Sequence, residues 1–245
     1  MKNLGNISES EYRALPIESY SSLKYLLSSP KDFLYYKNNP FKGSNSTLLG
    51  TAIHHYLQGN RHLVAFSTID KRKKEEYAKF VKDFEELAGD EGIIVPASFE
   101  KTLNSIMLSA NENKKVQKLL KELQTEVPVT ADYKGLKYKA KVDGLGEDYV
   151  LEIKSSSQAT TAQQFKDEAQ ERHYDLQAAM YLYATNRNKH YFIVVNTIAP
   201  FKVEAYKTSS EMISKGRNKL EKIVELHDKY VIKGETYEEC DLEEI

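Results

Sequence analysis

Residues 137–156 read KYKAKVDGLGEDYVLEIKSS. Alternating apolar positions on both sides of a Gly- and Asp-containing break predict two antiparallel strands around a tight turn. Asp143, Glu152 and Lys154 interrupt that pattern. If the turn is centred on Glu147–Asp148, Gly146 lies opposite Tyr149, Leu145 opposite Val150 and Asp143 opposite Glu152. Directly opposed residues have Cβ atoms about 4.5–5.5 Å apart. Strand side chains alternate faces, so Lys154 shares the face of Glu152, and Lys141 that of Asp143. Val142, Leu151 and Ile153 then form an apolar face. One register gives both faces, and one of them carries two carboxylates and an ammonium.

Two carboxylates that close repel, and one keeps its proton unless a cation lies between them. Hard oxygen ligands suit Mg²⁺ or Mn²⁺. Lys154, two residues beyond Glu152, can stabilise an anion or orient an attacking water. That combination suits phosphodiester hydrolysis, where cations offset charge on phosphate oxygens. A competing reading makes this a solvent-facing hairpin with ordinary cross-strand ion pairs. The D…E-x-K string is short, and the hairpin alone does not choose between the two.

The whole chain sets the frame. Its 245 residues are 40% apolar and 29% charged, as in a soluble globular protein large enough for a real core. No apolar run approaches the roughly 20 residues of a membrane span. The N-terminal MKNLGNISESEYRALP has no stretch resembling a signal-peptide core, so an intracellular, cytoplasmic protein is the expectation. A single cysteine, Cys240, excludes a disulfide framework, a Cys-rich zinc site and a four-Cys iron–sulfur cluster. The net charge of −1 does not announce a nucleic-acid binder, so a polyanion would need a local basic surface or metal ions.

Before the hairpin the pattern is helical. SSLKYLLSSPKDFLYYK predicts two short helices broken at Pro30, with Ser29 as N-cap. TLLGTAIHHYLQ reads as a short buried helix. DKRKKEEYAKFVKDFEELAGDEG is amphipathic, with a stripe of Tyr77, Phe80, Val81, Phe84 and Leu87 and Gly89 near its end. Its KRKK at 71–74 reads as a DNA-facing patch or, more simply, as a solvated helix start. Residues 97–123 predict two helices parted near Asn111–Asn113. Then EVPVTADY, KYKAKVDGL, DYVLEIKS, YFIVVNTIA and FKVEAYK read as five strands. HYDLQAAMYLYAT is a helix between the third and fourth, and a last helix runs from about Ser210 to Lys233. The expected fold is one α/β (α+β) domain over 1–245: a helical part to about 124, a mixed sheet flanked by helices to 207, then a C-terminal helix and tail.

More polar residues surround the hairpin. Gln177 and Tyr181 are spaced i,i+4 and share a helix face. Glu126 begins the preceding strand, and His54 lies in the early buried helix. With these the chain resembles the PD-(D/E)xK nuclease superfamily, in its RecB-like, lambda-exonuclease-like and RecE-like branch. Gly50 and His54 match G-x-x-x-H, Asp143–Gly144 match the D-G strand end, Glu152-Ile153-Lys154 match (D/E)-x-K, and Gln177 with Tyr181 match Q-x-x-x-Y. The opening SYSSLKYLLSSPKDFLYYK is also similar to the first segment of RecE-type catalytic domains, so the resemblance spans about residues 18–207.

The resemblance implies a restriction-endonuclease-like core binding one or two Mg²⁺ or Mn²⁺ ions. Asp143 and Glu152 would be ligands, with the Ile153 carbonyl, His54 and, least securely, Glu126. Lys154 would be the catalytic lysine. Gln177 and Tyr181 would brace the site and contact the DNA backbone, and Gln170, Arg172 and His173 would reach phosphates. Each has a plainer reading: His54 as a satisfied core histidine, Gln177 and Tyr181 as caps on a sheet edge.

The family reading further implies a 5′→3′ exonuclease on double-stranded DNA ends, leaving 3′ single strands for a recombinase or annealing protein. It implies phage or prophage origin in a bacterial host, and a homo-oligomeric ring in place of a motor, since no Walker loop is present. The alternatives are an endonuclease or single-strand or flap nuclease with the same site, or a catalytically silent DNA-binding subunit.

Overall fold

The computed structural model describes residues 2–39, 43–69 and 73–237. Among these, a seven-stranded mixed sheet forms the centre. Five of its strands are those the sequence predicts: β5 (Gln124–Tyr133), β6 (Leu136–Leu145), β7 (Tyr149–Ser156), β8 (Lys189–Asn196) and β9 (Val203–Lys207). Two short N-terminal strands, β1 (Lys2–Asn3) and β2 (Glu18–Ser19), join β5 and β6. They are too short to leave a periodic signal. Helices flank both faces, as expected.

Strand directions follow from the connections. β5, β6 and β7 are joined by tight turns and run antiparallel, whereas β7 and β8 pair in parallel from Tyr149–Lys189 to Ser156–Asn196. A parallel pair needs a crossover. α8 (Ala162–Glu171) and α9 (Tyr174–Thr185) supply it. Of these, α9 is apolar enough to read from sequence. α8, AQQFKDEAQE, buries only Phe165 and Ala169 and escaped the periodicity.

The two faces have separate cores. On one, Val127, Val129, Tyr138, Val142 and Val150 pack against Leu176 and Met180 of α9, Leu220 and Ile223 of α10 (Ser210–Leu226), and the N-terminal Leu23, Leu26 and Phe33. On the other, Leu151, Ile153, Ile193 and Val195 pack against α4 (Asn45–Leu57) and α6 (Phe99–Glu112) through Ile53, Tyr56, Leu103 and Ile106. The hairpin register is as expected, with Leu145 opposite Val150 and the Gly146 N–H donating to the Tyr149 carbonyl at 2.9 Å. Its apolar face is not. Val142 packs in the opposite layer from Leu151 and Ile153, because the alternation breaks beside Glu126, where φ is +52° and the β5–β6 pairing skips Asp143. Glu126 also lies within β5 and does not begin it.

Other elements form for local reasons. α2 (Tyr20–Leu23) and a 3₁₀ turn lead to α3 (Pro30–Asn38), where Ser29 Oγ accepts from the Asp32 N–H at 3.0 Å and Pro30 is the first helical residue. Asn113 ends α6 and caps α7 (Lys114–Leu120), accepting from the N–H groups of Lys115 and Val116. The amphipathic helix is α5 (Lys74–Ala88), closed by Gly89 at φ +66°. Its stripe is only partly covered, and Leu87 is 86% exposed. A separate parallel pair, β3 (Val64–Ser67) with β4 (Ile93–Pro96), flanks it in sequence and was not anticipated. Lys71, Arg72 and Cys240 lie outside the described residues.

α10 crosses α9 at Gly216, where an added Cβ would lie 1.9 Å from the Asp175 carbonyl oxygen. We expect Gly216→Ala to cost about 1–3 kcal/mol, the usual range for overpacking, and to lower the melting temperature by several degrees. A thermal melt matching the wild type would show that the helices part freely.

Candidate active site

The site lies in a fork. β6 and β7 pair only next to their turn, at Leu145–Val150 and Gly144–Leu151, and then diverge. β2 takes the edge of β6 that β7 has left, pairing Glu18 with Tyr138 and Ser19 with Lys139. At the branch point side chains replace the backbone ladder. The Ile153 N–H donates to Asp143 Oδ2 at 2.7 Å, and the Asp143 N–H approaches Glu152 Oε1 at 3.4 Å. The two carboxylates thus sit where strand hydrogen bonds would have been. The interruptions seen in the sequence are the cause of the fork.

α4 closes one side. Gly50 lets it press on β7, since an added Cβ would stand 3.0 Å from Ser155 Oγ. One turn later, on the same helix face, His54 Nδ1 lies 3.5 Å from Asp143 Oδ1. Gln58, one further turn on, donates from Nε2 to Glu126 Oε1 at 2.8 Å and to the Asp143 carbonyl at 2.9 Å. Ligand atoms of His54, Glu126 and Asp143 all lie within 4.8 Å of one another. Two carboxylates and an imidazole converging on one point fit a hard divalent cation.

α9 closes the other side. Glu152 is 1% exposed, and its Oε2 accepts from Lys154 Nζ at 3.0 Å and from Gln177 Nε2 at 2.9 Å. Its carboxylate turns toward that pair and stands outside the His54–Glu126–Asp143 cluster. Burial, reinforced by the Asp143 charge, pushes the Glu152 carboxyl up to about 8. Burial acts on Asp143 in the same sense, but His54, Lys154 and the Ile153 N–H outweigh it and hold Asp143 below the usual carboxylate range. Burial alone would lower His54, yet the Asp143 carboxylate leaves it above its ordinary value. Lys154 is likewise raised despite burial, by Glu152, the Tyr174 hydroxyl and Asp143, and its ammonium lies 4.8 Å from the Tyr174 ring centre. The two neighbouring carboxyls are thus displaced in opposite directions, one toward its protonated and one toward its ionised form.

A cleft of about 540 Å³ opens beside His54, Glu126 and Asp143. The N-terminal arm forms part of its wall. Lys139 Nζ donates to the carbonyls of Tyr12, Arg13 and Leu15 at 2.9–3.0 Å, fixing α1 (Glu9–Ala14) beside the cleft. Lys141 Nζ bridges Glu9 at 2.5 Å and Glu126 at 2.9 Å. Sequence reading missed Gln58 and this arm. Gln58 follows the Gly50–His54 spacing and was legible, whereas Glu9 reaches the site only through a short strand and one ion pair.

The structure brings His54, Glu126, Asp143, Glu152, Lys154 and Gln177 together, with Ile153 contributing its N–H. Tyr181 is buried on α9 one turn beyond Gln177, and the two are 7% and 5% exposed. Gln177 Nε2 donates to Glu152 and so braces the site. Gln170, Arg172 and His173 do not line the cleft. Gln170 is exposed at the end of α8, Arg172 pairs with Glu168 at 2.9 Å, and His173 Nδ1 lies 3.0 Å from Lys219 Nζ.

A mixed sheet forked by paired carboxylates, with a lysine two residues on and a helix-borne glutamine beneath, defines a PD-(D/E)xK domain. The family described as a PDDEXK-like domain of unknown function (DUF3799) matches residues 19–244, and the chain belongs to it. Among solved structures, a provisionally named exonuclease from Eubacterium rectale is similar with a TM-score of 0.64 at 15% identity, over 91% of this chain and 87% of that one. The alkaline exonuclease LHK-Exo from Laribacter hongkongensis has a TM-score of 0.36 at 14% identity, over 76% and 91%. A phage-related exonuclease from Haemophilus somnus has 0.35 at 11%, over 76% and 95%. No curated protein matches the chain in sequence. Among the described residues no helix is long and apolar enough to cross a membrane.

Proposed function

We propose that the chain is a metal-dependent deoxyribonuclease. The observation that carries this is the fork itself, where Asp143 and Glu152 replace the β6–β7 ladder between a histidine-bearing helix and a lysine. A fold that only needed a hairpin would complete the ladder and would not bury two carboxylates against each other.

His54, Asp143 and Glu126 would hold the cation, with Glu152 and the Ile153 carbonyl beside them. A divalent ion there supplies Lewis-acid stabilisation of phosphate oxygens and of the leaving oxygen. The chain's own groups do the rest. Lys154, held by Glu152 above the Tyr174 ring, keeps its charge and offsets negative charge building on the phosphate. Gln177 fixes the Glu152 carboxylate, and the Ile153 N–H fixes Asp143. Gln58, at the end of α4, holds Glu126 and the Asp143 carbonyl.

Within that class we favour an exonuclease acting 5′→3′ on double-stranded ends, producing 3′ single strands for a recombinase or annealing protein. The order of the motifs supports this reading, and the exonuclease name borne by the similar Eubacterium rectale structure supports its exonuclease part. A cytoplasmic role in a bacterial host, phage or prophage origin and a homo-oligomeric ring belong to the same reading. Duplex labelled at its 5′ or 3′ ends, incubated with Mg²⁺ or Mn²⁺, should release 5′ nucleotides first and leave covalently closed circles intact. Cleavage of closed circles would make it an endonuclease with the same site. Absence of hydrolysis together with absence of Mn²⁺ binding would leave a silent DNA-binding subunit.

A further inference from the structure

A row of tyrosines leads away from the fork and belongs to none of the machinery above. α3 exposes three consecutive large side chains, Leu34 at 54%, Tyr35 at 61% and Tyr36 at 43%. Tyr36 stacks on Tyr25 with centroids 3.9 Å apart and planes at 15°, and Tyr35 stands edge-on to Tyr36 at 5.2 Å. Lys24 Nζ lies 5.0 Å from the Tyr25 ring and 5.6 Å from the Tyr20 ring. Tyr20 follows β2, the strand that fills the fork, and its hydroxyl donates to the Arg172 carbonyl.

We propose that this surface is a stacking platform for a single polynucleotide strand on its way to or from the fork. The claim rests on the nuclease reading. Charge favours a polyanion over a protein partner, since Lys24, Arg172 and Lys154 share one neighbourhood. After burial, Arg172 and Lys154 are what depress the Lys24 ammonium; with Arg172 held by Glu168 and Lys154 by Glu152, Lys24 beside the Tyr20 and Tyr25 rings is the cation of the three left to meet a phosphate. Of the acids nearby, Glu18 takes Lys37 at 2.5 Å and Glu168 takes Arg172 at 2.9 Å. Rings interleaved with cations offer each base a π-face and each phosphate a partner, without reading sequence.

The test uses the full chain in chelator, with fluorescence anisotropy of labelled dT₁₂, rU₁₂ and dT₂. The double variant Tyr35→Ala/Tyr36→Ala should bind dT₁₂ about 10- to 100-fold more weakly, the loss expected for one stacked base. Tyr35→Phe/Tyr36→Phe should retain binding, because stacking needs the ring. Weakening of rU₁₂ in parallel is expected of stacking, which does not read the sugar. Metal-dependent hydrolysis of a p-nitrophenyl ester of thymidine 5′-monophosphate, which occupies only the fork, should be unchanged in the alanine variant. Equal dT₁₂ binding by alanine variant and wild type would overturn the platform, as would equal losses for dT₂ and dT₁₂. A change in sedimentation with dT₁₂ binding intact would also overturn it and make the surface a contact between copies. If the ester is never hydrolysed yet dT₁₂ binding still depends on the two rings, the platform stands and the nuclease reading fails.

Discussion

Glu152→Gln should abolish hydrolysis of linear duplex, by at least about 10²–10³-fold as when one electrostatic group is removed from an active site, and should also make the metal-free protein more stable at alkaline pH. The second effect reports whether the buried carboxyl holds a proton in the metal-free fold. Glu152 titrates near 8 in the folded protein, against a reference value of 4.5, because it is buried beside Asp143. Between those values the folded state holds a proton that the unfolded chain has released, so stability falls as pH rises from about 4.5 to about 8. Glutamine keeps the shape: its oxygen still accepts from Lys154 and Gln177, its NH₂ takes the place of the oxygen that the Asp143 N–H approaches at 3.4 Å, and it has no proton to lose. The variant should therefore lack that part of the decline. Its advantage in melting temperature should be small near pH 5 and largest above pH 8, with each kcal/mol worth about 2–4 °C in a chain this size. Melts in chelator from pH 5 to 9 measure it. A difference that does not grow with pH would mean that Glu152 is stably ionised by Lys154 and needs no cation.

Much of this was legible before any coordinates. The five main strands, α9 and the helix break at Pro30 follow from period and capping. The hairpin register followed from its turn, and it put Asp143 and Glu152 side by side. What period-2 reasoning could not see was that opposing two carboxylates would break the ladder. Once the Ile153 N–H turns to Asp143 and Glu126 adopts positive φ, alternation resets and Val142 moves to the other layer. The N-terminal arm was illegible for another reason. β1 and β2 are two residues each, held by strand edges, by Lys139 gripping three carbonyls and by Lys141 meeting Glu9. Nothing in a periodicity records a lysine that binds carbonyls more than a hundred positions earlier. Gln170, Arg172 and His173 lie where α8 ends, with Gln170 exposed, Arg172 held by Glu168 and His173 beside Lys219, contacts that the order of the sequence does not announce.

The geometry also divides the acids between two tasks, and Mn²⁺ binding followed by calorimetry can show the division. Asp143 touches both sides of the fork, accepting from the Ile153 N–H and facing His54. In Asp143→Asn one oxygen becomes an amide donor that must face a backbone donor or the imidazole, and one anionic ligand is lost. We expect Mn²⁺ affinity to fall by well over the 10–100-fold that loss of a ligand's supporting partner costs. Glu126→Gln should weaken binding as well, since Glu126 belongs to the cluster within 4.8 Å. It should spare Lys154, which Glu152 holds. In the wild type Glu152 sits near 8 and holds a proton near pH 7, and Asp143 displaces His54 toward its protonated form; an incoming cation opposes both. Binding should release protons, seen as a dependence of the apparent enthalpy on buffer, and affinity should rise from pH 6 to 8. At a concentration 100 times Kd the ion should add about 2.7 kcal/mol to stability, several degrees in the melt. If Glu126→Gln leaves Mn²⁺ binding intact while Glu152→Gln destroys it, the cation sits between Asp143 and Glu152, on the α9 side of the fork. Lys141 would then hold Glu126 only as a structural pair with Glu9.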